Sequence, residues 1–249
     1  MGTVYLVGAG PGAADLLTVR AARLLATADV VLHDALIGDD VLALAPRAQK
    51  IAVGKRCGAH STSQRFINKR LVDAARRAKV VVRLKGGDPM LFGRAHEEIE
   101  ALAAAGIDCE IVPGVTAALA AAADAKLSLT RRGVSRSVVF VTPRVGEGEN
   151  PGAWAKAAAA ADTIVIYMGA GDAIAVTTAL VAAGVPPATP VALVESASRR
   201  ECAIHAGALA GLPGVAAARG NGPALIVVGA VCTELAASLA AVPRRAAAG

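Results

Sequence analysis

Short apolar runs alternate with amphipathic segments along the whole chain. Runs rich in valine, isoleucine and leucine predict buried strands. In the first half they fall near residues 3–8, 29–33, 50–53, 79–85 and 109–112. Between them, one predicted helix has Leu17, Ala21 and Leu25 on its apolar face, and further helices are predicted through Ile67 and Leu71 and over 97–105. This alternation predicts an α/β fold whose parallel sheet is covered on both faces.

The same alternation resumes in the second half, after an alanine-rich helix that follows the segment 113–116. Strands are predicted there near residues 137–142, 163–167, 190–195, 201–206 and 223–228, with a helix over 171–183. The short segment at 113–116 suits a junction between domains. We therefore expect two α/β domains, at residues 1–113 and 114–242, and a frayed tail at 243–249.

The first predicted strand runs directly into a glycine turn, Gly8-Ala9-Gly10-Pro11-Gly12. Its spacing nearly matches the loop that holds a dinucleotide, in which a helix N-terminus donates backbone N–H groups to a pyrophosphate. Pro11 has no N–H to donate, and the next amphipathic segment begins only near Asp15. The turn is therefore predicted to pass the chain over a ligand rather than to wrap a diphosphate.

The composition of the chain indicates where the protein works and whether it spans a membrane. Hydrophobic residues make up 55% of the 249 positions, yet no apolar run reaches the roughly 18 residues of a membrane span. The sequence enters a strand almost at once, which predicts no secretory signal. Four widely spaced cysteines suit reduced thiols. We therefore expect a cytoplasmic protein with no membrane partner.

Basic residues are concentrated in one part of the chain. Positions 47 to 94 hold 13 lysines or arginines and two acidic residues, within a net charge of +6 for the whole sequence. Charge alone allows a nucleic-acid partner, but Phe66 and Phe92 are the only stacking residues in the stretch, which disfavours it. A small polyanionic substrate fits as well, because a positive rim raises its local concentration.

Several candidate groups fall at the carboxyl ends of predicted strands, where parallel sheets bind ligands. In Lys85-Gly86-Gly87-Asp88-Pro89 the paired glycines allow a ligand to approach the backbone, and Asp88 either binds that ligand or shapes a turn. Asp34 is a candidate ribose acceptor, helix N-cap or general base. Lys55 is either a surface cation or a proton donor. Met168 is either a core residue or the neighbour of a flat ligand.

The histidines form no pattern typical of a metal site. His33, His60, His96 and His205 are scattered, without an HExxH motif or a cysteine–histidine cluster. A Gly-x-Ser-x-Gly nucleophile motif is also missing from the sequence. The sequence therefore predicts neither a metal centre nor a serine nucleophile.

Ten short motifs stand in a fixed order from about residue 3 to residue 235. They are VGAGPG (7–12), DLLT (15–18), DVVLHD (29–34), GKR (54–56), VRLKGGDP (82–89), FGR (92–94), VPGVTA (112–117), IYMG (166–169), VALVE (191–195) and PALIV (223–227). Together they resemble the tetrapyrrole methylases, above all those that act on uroporphyrinogen III. Chance does not produce so many motifs in one order.

The resemblance implies two α/β domains with the active site in the cleft between them, the first with a parallel sheet and the second with a mixed sheet. It also implies a homodimer that uses S-adenosylmethionine, releases S-adenosyl-L-homocysteine and needs no metal. The implied reaction is two successive C-methylations of uroporphyrinogen III, giving precorrin-2 for sirohaem and cobalamin synthesis. A polyanionic tetrapyrrole would account for the basic stretch without any nucleic acid.

The resemblance also assigns roles to residues of this sequence. The family's proposed proton acceptor falls on Asp34 and its proposed proton donor on Lys55. Its cofactor-binding positions fall on Pro11, Gly86, Gly87, Asp88, Leu91, Thr116, Ala117, Met168, Ala197 and Ala224. In-line methyl transfer mainly needs reactants to be held in place, after which a base removes a proton from the methylated ring.

The chain departs from the family's usual residues at Ala35, Ala95-His96, Arg131 and Pro143-Arg144. The cofactor positions keep the family pattern, whereas these four places are candidates for facing the substrate. A related precorrin C-methyltransferase is therefore an alternative. From other classes, an NAD(P)-binding oxidoreductase is disfavoured by Pro11, and an RNA-binding module is disfavoured by the scarcity of aromatic residues.

Overall fold

Two five-stranded sheets, each in its own part of the chain, organise the computed structural model, which describes residues 2–54, 64–144 and 153–241. The chain divides accordingly into unit 1, residues 1–117, and unit 2, residues 118–249. The sequence pattern placed the junction after residue 113, within the turn that leads to the alanine-rich helix. The predicted tail at 243–249 lies outside the described residues.

The sheet of unit 1 is parallel throughout. Its strands are β1 (Thr3–Gly8), β2 (Val30–His33), β3 (Gln49–Ala52), β4 (Val80–Lys85) and β5 (Cys109–Val112). They lie in the order β3-β2-β4-β1-β5, and Leu84 of β4 pairs with both Val7 and His33. This register brings the carboxyl ends of β1, β2 and β4 to one edge of the sheet.

Helices cover both faces of this sheet, as the alternation predicted. They are α1 (Val19–Thr27), α2 (Asp39–Ala43), α3 (Gln64–Ala75) and α4 (Ala95–Ala104). On one face Leu25 of α1 packs in a cluster with Val31 and Val82. On the other face Leu71 of α3 and Leu102 of α4 share a cluster with residues of β1, β2 and β4. The apolar stripes of the helices thus close the core from two sides.

The start of α1 differs from the prediction, which included Leu17 in the helix. The helix begins at Val19 because Thr18 caps it, with its Oγ1 accepting a hydrogen bond from the backbone N–H of Ala21 at 3.1 Å.

The sheet of unit 2 is mixed. Its strands are β6 (Val138–Val141), β7 (Thr163–Tyr167), β8 (Pro190–Glu195), β9 (Ala203–Ala208) and β10 (Ala224–Gly229). The order is β6-β7-β10-β8-β9, and β10 runs antiparallel to both of its neighbours. The first residues of β10 therefore lie beside the last residues of β7 and β8, with Ala224 opposite Glu195 and Leu225 opposite Tyr167.

The helices of unit 2 are short and rich in alanine. They are α5 (Ala117–Asp124), which begins at the last residue of unit 1, α6 (Ala153–Ala158), α7 (Ala173–Ala182), α8 (Leu212–Ala217) and α9 (Thr233–Ala241). Val176 and Leu180 of α7 pack in one core cluster with Ile166 of β7 and Leu193 of β8. Across the described residues, every helix is too short or too polar to cross a membrane.

Candidate active site

Three loops meet at the carboxyl edge of the unit 1 sheet: Gly8–Gly12 after β1, Gly86–Pro89 after β4 and Pro113–Thr116 after β5. The backbone N–H of Gly87 donates to the carbonyl of Gly10 at 2.7 Å, and the N–H of Gly10 donates to the carbonyl of Gly87 at 3.2 Å. These hydrogen bonds join the first two loops. They also occupy a donor that a dinucleotide loop would direct at a pyrophosphate, in agreement with the prediction from Pro11.

Glycine serves two different purposes in these loops. A Cβ atom at Gly8 would lie 2.5 Å from the Cα of Gly114, closer than real Cβ contacts come, so these two backbones need glycine to touch. A Cβ atom at Gly86 would meet nothing within 4 Å. Gly86 therefore borders open space, which a ligand can enter close to the backbone.

Asp88 ties the second and third loops together. Its Oδ1 accepts a hydrogen bond from the backbone N–H of Met90 at 2.8 Å, and its Oδ2 accepts one from the N–H of Gly114 at 2.9 Å. The turn-forming role that the sequence allowed is therefore present. Each carboxylate oxygen has a second lone pair, so a contact between Asp88 and a ligand stays a prediction beside this role.

Asp34 lies directly after β2, and its side chain is 33% exposed. Its Oδ1 accepts a hydrogen bond from Nη2 of Arg83 at 2.5 Å, and its Oδ2 accepts a long one from the backbone N–H of Gly86 at 3.4 Å. Helix α2 has Gly38 as its N-cap, so the N-cap role considered for Asp34 is wrong. The structure instead places this carboxylate beside the open space at Gly86.

Behind Asp34 lies a buried charged cluster formed by Arg83 and Lys85 of β4 and Glu98 of α4. Nε of Arg83 donates to Oε1 of Glu98 at 2.9 Å, and Nζ of Lys85 donates to Oε2 of Glu98 at 3.0 Å. These three side chains are at most 4% exposed. With Asp34 the cluster balances two cations against two carboxylates, as buried charges require.

Burial and pairing act against each other on the two cations. Burial lowers the pKa of Arg83, but the carboxylates of Asp34 and Glu98 outweigh it and raise that pKa overall. Burial lowers the pKa of Lys85, the charge of Arg83 lowers it further, and Glu98 only partly restores it. Arg83 is therefore a permanent cation beside Asp34, whereas Lys85 holds its proton more weakly than an exposed lysine does.

The other predicted residues of unit 1 lie in or next to the same loops. Pro11 lies half-buried in the first loop. The backbone N–H of Leu91 donates to the carbonyl of Asp88 at 3.4 Å. A Cβ atom at Gly87 would lie 3.8 Å from the Cα of Thr116, which precedes Ala117. The proposed proton donor, Lys55, lies outside the described residues.

The remaining three predicted cofactor residues lie near one edge of the unit 2 sheet. Met168 follows β7, Ala197 follows β8, and Ala224 begins β10. Glu195, which is 6% exposed, accepts hydrogen bonds there from the backbone N–H groups of Gly220 at 2.8 Å and Gly222 at 2.6 Å. This buried carboxylate holds the loop before β10 against the end of β8.

Left-handed backbone marks this edge of unit 2. The φ angle is 57° at Met168, 51° at Ser196 and 66° at Ser198, so Ala197 lies between two strained residues. Residues other than glycine adopt this conformation at a cost of about 1–3 kcal/mol, and such strain collects at ligand sites. The local geometry therefore favours the prediction that Met168 and Ala197 face a ligand.

The described ranges 2–54, 64–144 and 153–241 contain no candidate metal site. They contain no group of three or more histidine, cysteine, aspartate or glutamate side chains arranged for a metal ion.

The sequence interpretation missed the roles of Arg83, Glu98 and Glu195. One signal was available, because Arg83 interrupts a run of otherwise apolar strand residues and a charge in a buried strand needs a buried partner. The identity of that partner was not readable, since Glu98 comes from a helix 15 positions further along the chain. Glu195 gave no signal beyond its position at a strand end.

Comparison with known proteins identifies the family to which the fold belongs. A family model described as tetrapyrrole (corrin/porphyrin) methylases matches residues 3–213. The chain belongs to the tetrapyrrole methylase family. The resemblance inferred from the ordered motifs is confirmed, and the α/β class with it.

Curated relatives of this tetrapyrrole methylase fall into two groups by length. A uroporphyrinogen-III C-methyltransferase of Pseudomonas aeruginosa is 44% identical over 237 residues, which cover 94% of this chain and 96% of that protein. A siroheme synthase of Chromobacterium violaceum is 48% identical over 240 residues, covering 96% of this chain but 51% of that protein. The chain thus spans about half the length of the siroheme synthases it matches.

Solved structures agree with this assignment. A uroporphyrin-III C-methyl transferase from Thermus thermophilus, complexed with S-adenyl homocysteine, matches with a TM-score of 0.82 and 39% identity, over 94% of this chain and 100% of that one. A cobalt precorrin-4 methyltransferase matches with a TM-score of 0.77 and 32% identity, over 92% of this chain and 95% of that one.

Proposed function

We propose that this tetrapyrrole methylase transfers methyl groups from S-adenosylmethionine to carbon atoms of uroporphyrinogen III, in two successive steps that give precorrin-2. One observation carries the proposal: the 44% identity with the Pseudomonas aeruginosa uroporphyrinogen-III C-methyltransferase extends over 96% of that enzyme. The similarity to the siroheme synthases covers only about half of their length, so the proposal concerns the methyl-transfer step alone.

The loops of unit 1 fit such a methyl donor. Gly86 borders open space, and the left-handed Gly10 and Gly87, with φ of 72° and 66°, allow a ligand to lie against the backbone. The bound S-adenyl homocysteine of the Thermus enzyme supports the same cofactor class. The residues proposed to hold the donor are Pro11, Gly86, Gly87, Asp88, Leu91, Thr116 and Ala117 in unit 1, and Met168, Ala197 and Ala224 in unit 2.

The protein's own part in the reaction is to position reactants and to move a proton. When bound, S-adenosylmethionine supplies a methyl group from an activated sulfonium. Methyl transfer leaves the ring system cationic, and Asp34 then accepts the proton that the ring system must lose to become neutral, because its carboxylate stands beside the open space at Gly86. Its exposed fraction of 33% lets that proton pass to solvent before a second transfer. The proposed donor Lys55 completes the assignment.

Fewer basic residues of the stretch 47–94 can attract a substrate than the sequence suggests. Arg83 and Lys85 are buried and paired, so they do not belong to it. Arg65, Lys69 and Arg70 on α3 are exposed, and cations of this kind raise the local concentration of a polyanionic tetrapyrrole.

The test is an assay without air that contains the protein, uroporphyrinogen III and S-adenosylmethionine labelled on its methyl group. The expected result is labelled precorrin-2, identified by its mass and absorption, together with two molecules of S-adenosyl-L-homocysteine per molecule of precorrin-2. If the protein binds S-adenosyl-L-homocysteine but labels no uroporphyrinogen III, uroporphyrinogen III is not its substrate. Saturable NADH binding without affinity for the methyl donor would contradict the reaction class.

A related precorrin C-methyltransferase is the second candidate. The match to the cobalt precorrin-4 methyltransferase favours it, as do the departures at Ala35, Ala95-His96, Arg131 and Pro143-Arg144. The same assay with a more highly methylated precorrin decides between them, because the better substrate is the one with the higher kcat/KM.

We also propose that the protein works as a homodimer in the cytoplasm, without nucleic acid. Light scattering on the purified full chain should give twice the mass of 24.8 kDa, and an unlabelled nucleic acid should not displace the tetrapyrrole substrate. A monomer that retains full activity would remove the dimer from the proposal.

A further inference from the structure

The guanidinium of Arg83 is fixed from three directions. Nη2 donates to Asp34, Nε donates to Glu98 at 2.9 Å, and Nη1 donates to the carbonyl of Leu84 at 3.1 Å. Its side chain is 3% exposed. A planar guanidinium held by hydrogen bonds from all three of its nitrogens has little freedom to rotate, so the position of Arg83 determines where its partners lie.

Glu98 is the anchor of this arrangement. Its Oε1 accepts hydrogen bonds from Arg83 and from Nε2 of Gln64 at 3.3 Å, and its Oε2 accepts one from Lys85. The side chain of Glu98 is fully buried. Arg83 therefore connects a fully buried, hydrogen-bonded carboxylate inside the fold with a partly exposed carboxylate at its edge.

The two oxygens of Asp34 differ as a result. Oδ1 is held by Arg83 in a short, charge-assisted hydrogen bond. Among the residues that the structure describes, Oδ2 has only the long contact of 3.4 Å with the N–H of Gly86, on the side of the open space. The carboxylate is thus presented with one oxygen tied back and the other turned toward the ligand region.

We propose that Arg83 is a positioning residue for methyl transfer, which orients Asp34 so that Oδ2 takes the proton from the methylated ring. The inference rests on the proposed function, because it assumes that Asp34 is the proton acceptor. Arg83 cannot take that proton itself, since a guanidinium stays protonated at any working pH. Its contribution therefore passes through Asp34, and Glu98 fixes it in turn.

A double-mutant cycle on the full chain tests this dependence. Arg83→Gln is measured with Asp34 intact and again in an Asp34→Asn background, using kcat, KM and calorimetric affinity for S-adenosyl-L-homocysteine. With Asp34 intact, Arg83→Gln should lower kcat about 10-fold while KM and the affinity stay within about 2-fold. In the Asp34→Asn background the same change should lower kcat by no more than about 2-fold.

Lys85→Met is the matched control. Like Arg83, Lys85 is a buried cation bonded to Glu98, but Lys85 makes no hydrogen bond with Asp34. Its effect on kcat should be the same in both backgrounds. If Arg83→Gln does not fold, Arg83→Lys replaces it. A single ammonium cannot reproduce the geometry of the guanidinium's bonds to both Asp34 and Glu98, so kcat should fall only where Asp34 is present.

The outcomes distinguish a failure of the positioning role of Arg83 from a failure of the proposed function. An active wild-type enzyme in which Arg83→Gln costs the same factor with and without Asp34 would overturn the positioning role alone. A loss explained by weaker S-adenosyl-L-homocysteine binding would overturn it as well. A wild-type protein that methylates no uroporphyrinogen III would overturn the proposed function, and the positioning role with it.

Discussion

Asp34 at the edge of the unit 1 sheet and Glu195 at the edge of the unit 2 sheet are two carboxylates with opposite surroundings. Asp34 in unit 1 is 33% exposed and has an oxygen turned toward open space. Glu195 in unit 2 is 6% exposed, and both of its oxygens accept backbone N–H groups. In the proposed reaction, Asp34 of unit 1 would accept a proton, whereas Glu195 of unit 2 holds a loop in shape.

The difference follows from the topology of the two sheets. In a parallel sheet all strands end at one edge, so polar residues after β2 and β4 come together there. In the mixed sheet β10 enters the same edge where β7 and β8 leave it, which brings a glycine-rich loop between two strand ends. A buried carboxylate then satisfies the backbone of that loop.

The largest expected effect comes from removing the charge of Asp34. Asp34→Asn keeps the size of the side chain but cannot accept a proton, so kcat should fall about 100-fold or more. The affinity for S-adenosyl-L-homocysteine, measured by calorimetry, should stay within about 2-fold. The opposite result, with kcat retained and affinity lost, would make Asp34 a binding group and end the contrast with Glu195.

A pair of glycine variants separates packing from ligand space within unit 1. Gly8→Ala should destabilise the fold by about 1–3 kcal/mol, because the new methyl group would press on Gly114. Gly86→Ala should leave the melting temperature nearly unchanged, since nothing lies within 4 Å of the new group, and should instead weaken S-adenosyl-L-homocysteine binding. Thermal melts and calorimetry measure both. Equal loss of stability in the two variants would contradict the open space beside Gly86.

Glu195→Gln should act on stability rather than on the chemical step. The amide provides one acceptor oxygen where the carboxylate provides two, so one buried N–H of Gly220 or Gly222 loses its partner at a cost of about 1–2 kcal/mol. Denaturant unfolding measures the loss, and kcat at saturating donor should change little. A large fall in kcat without a loss of stability would mean that unit 2 contributes more than shape.

The smallest expected change in stability, counted per pH unit, is a pH dependence in unit 2. Burial raises the pKa of the Cys232 thiol from 9.0 to about 12, so above pH 9 the unfolded chain loses a proton that the folded chain keeps. Stability from this thiol should therefore fall between pH 9 and 12, by at most about 1.4 kcal/mol per pH unit. Cys232→Ala should flatten that slope in chemical denaturation. An unchanged slope would assign the alkaline loss to other groups.

Lys85 in unit 1 should act in the opposite sense over the alkaline range. Its pKa is lowered from 10.5 by burial, so the unfolded chain binds the proton more tightly. Its contribution to stability therefore rises with pH between the lowered pKa and 10.5. Comparing Lys85→Met with Cys232→Ala would show the two slopes separately.

The sequence predicted well what depends on neighbours along the chain. Buried strands are recognisable in the sequence as apolar runs. Strands β1, β5, β7 and β8 therefore occur where the pattern predicted them. Helix α1 began later than expected, because the preceding Thr18 offers a cap that apolar periodicity does not reveal. Strand β9 lies at 203–208, two residues beyond its predicted range, since its weakly apolar sequence gives a poor boundary.

What the sequence concealed depends on distant neighbours. The loops of the site were visible as glycine motifs, but the bonds between Gly10 and Gly87 and between Asp88 and Gly114 exist only after β1, β4 and β5 have paired. The charged cluster needed Glu98 of α4 to lie under β4. The left-handed angles at Ser196 and Ser198 had no local signal, because serine rarely adopts them unless the surrounding fold imposes them.

The position of β10 in the unit 2 sheet affects the order in which the chain acquires its structure. The five strands described for unit 1 are complete by residue 112, so its sheet can pair while the ribosome is still making the second half. In unit 2 the central strand is the last to emerge, since β10 lies between β7 and β8. Until residue 229 is free, β7 and β8 each expose an unpaired edge to the cell, and nascent chains stalled there should be the ones that engage chaperones.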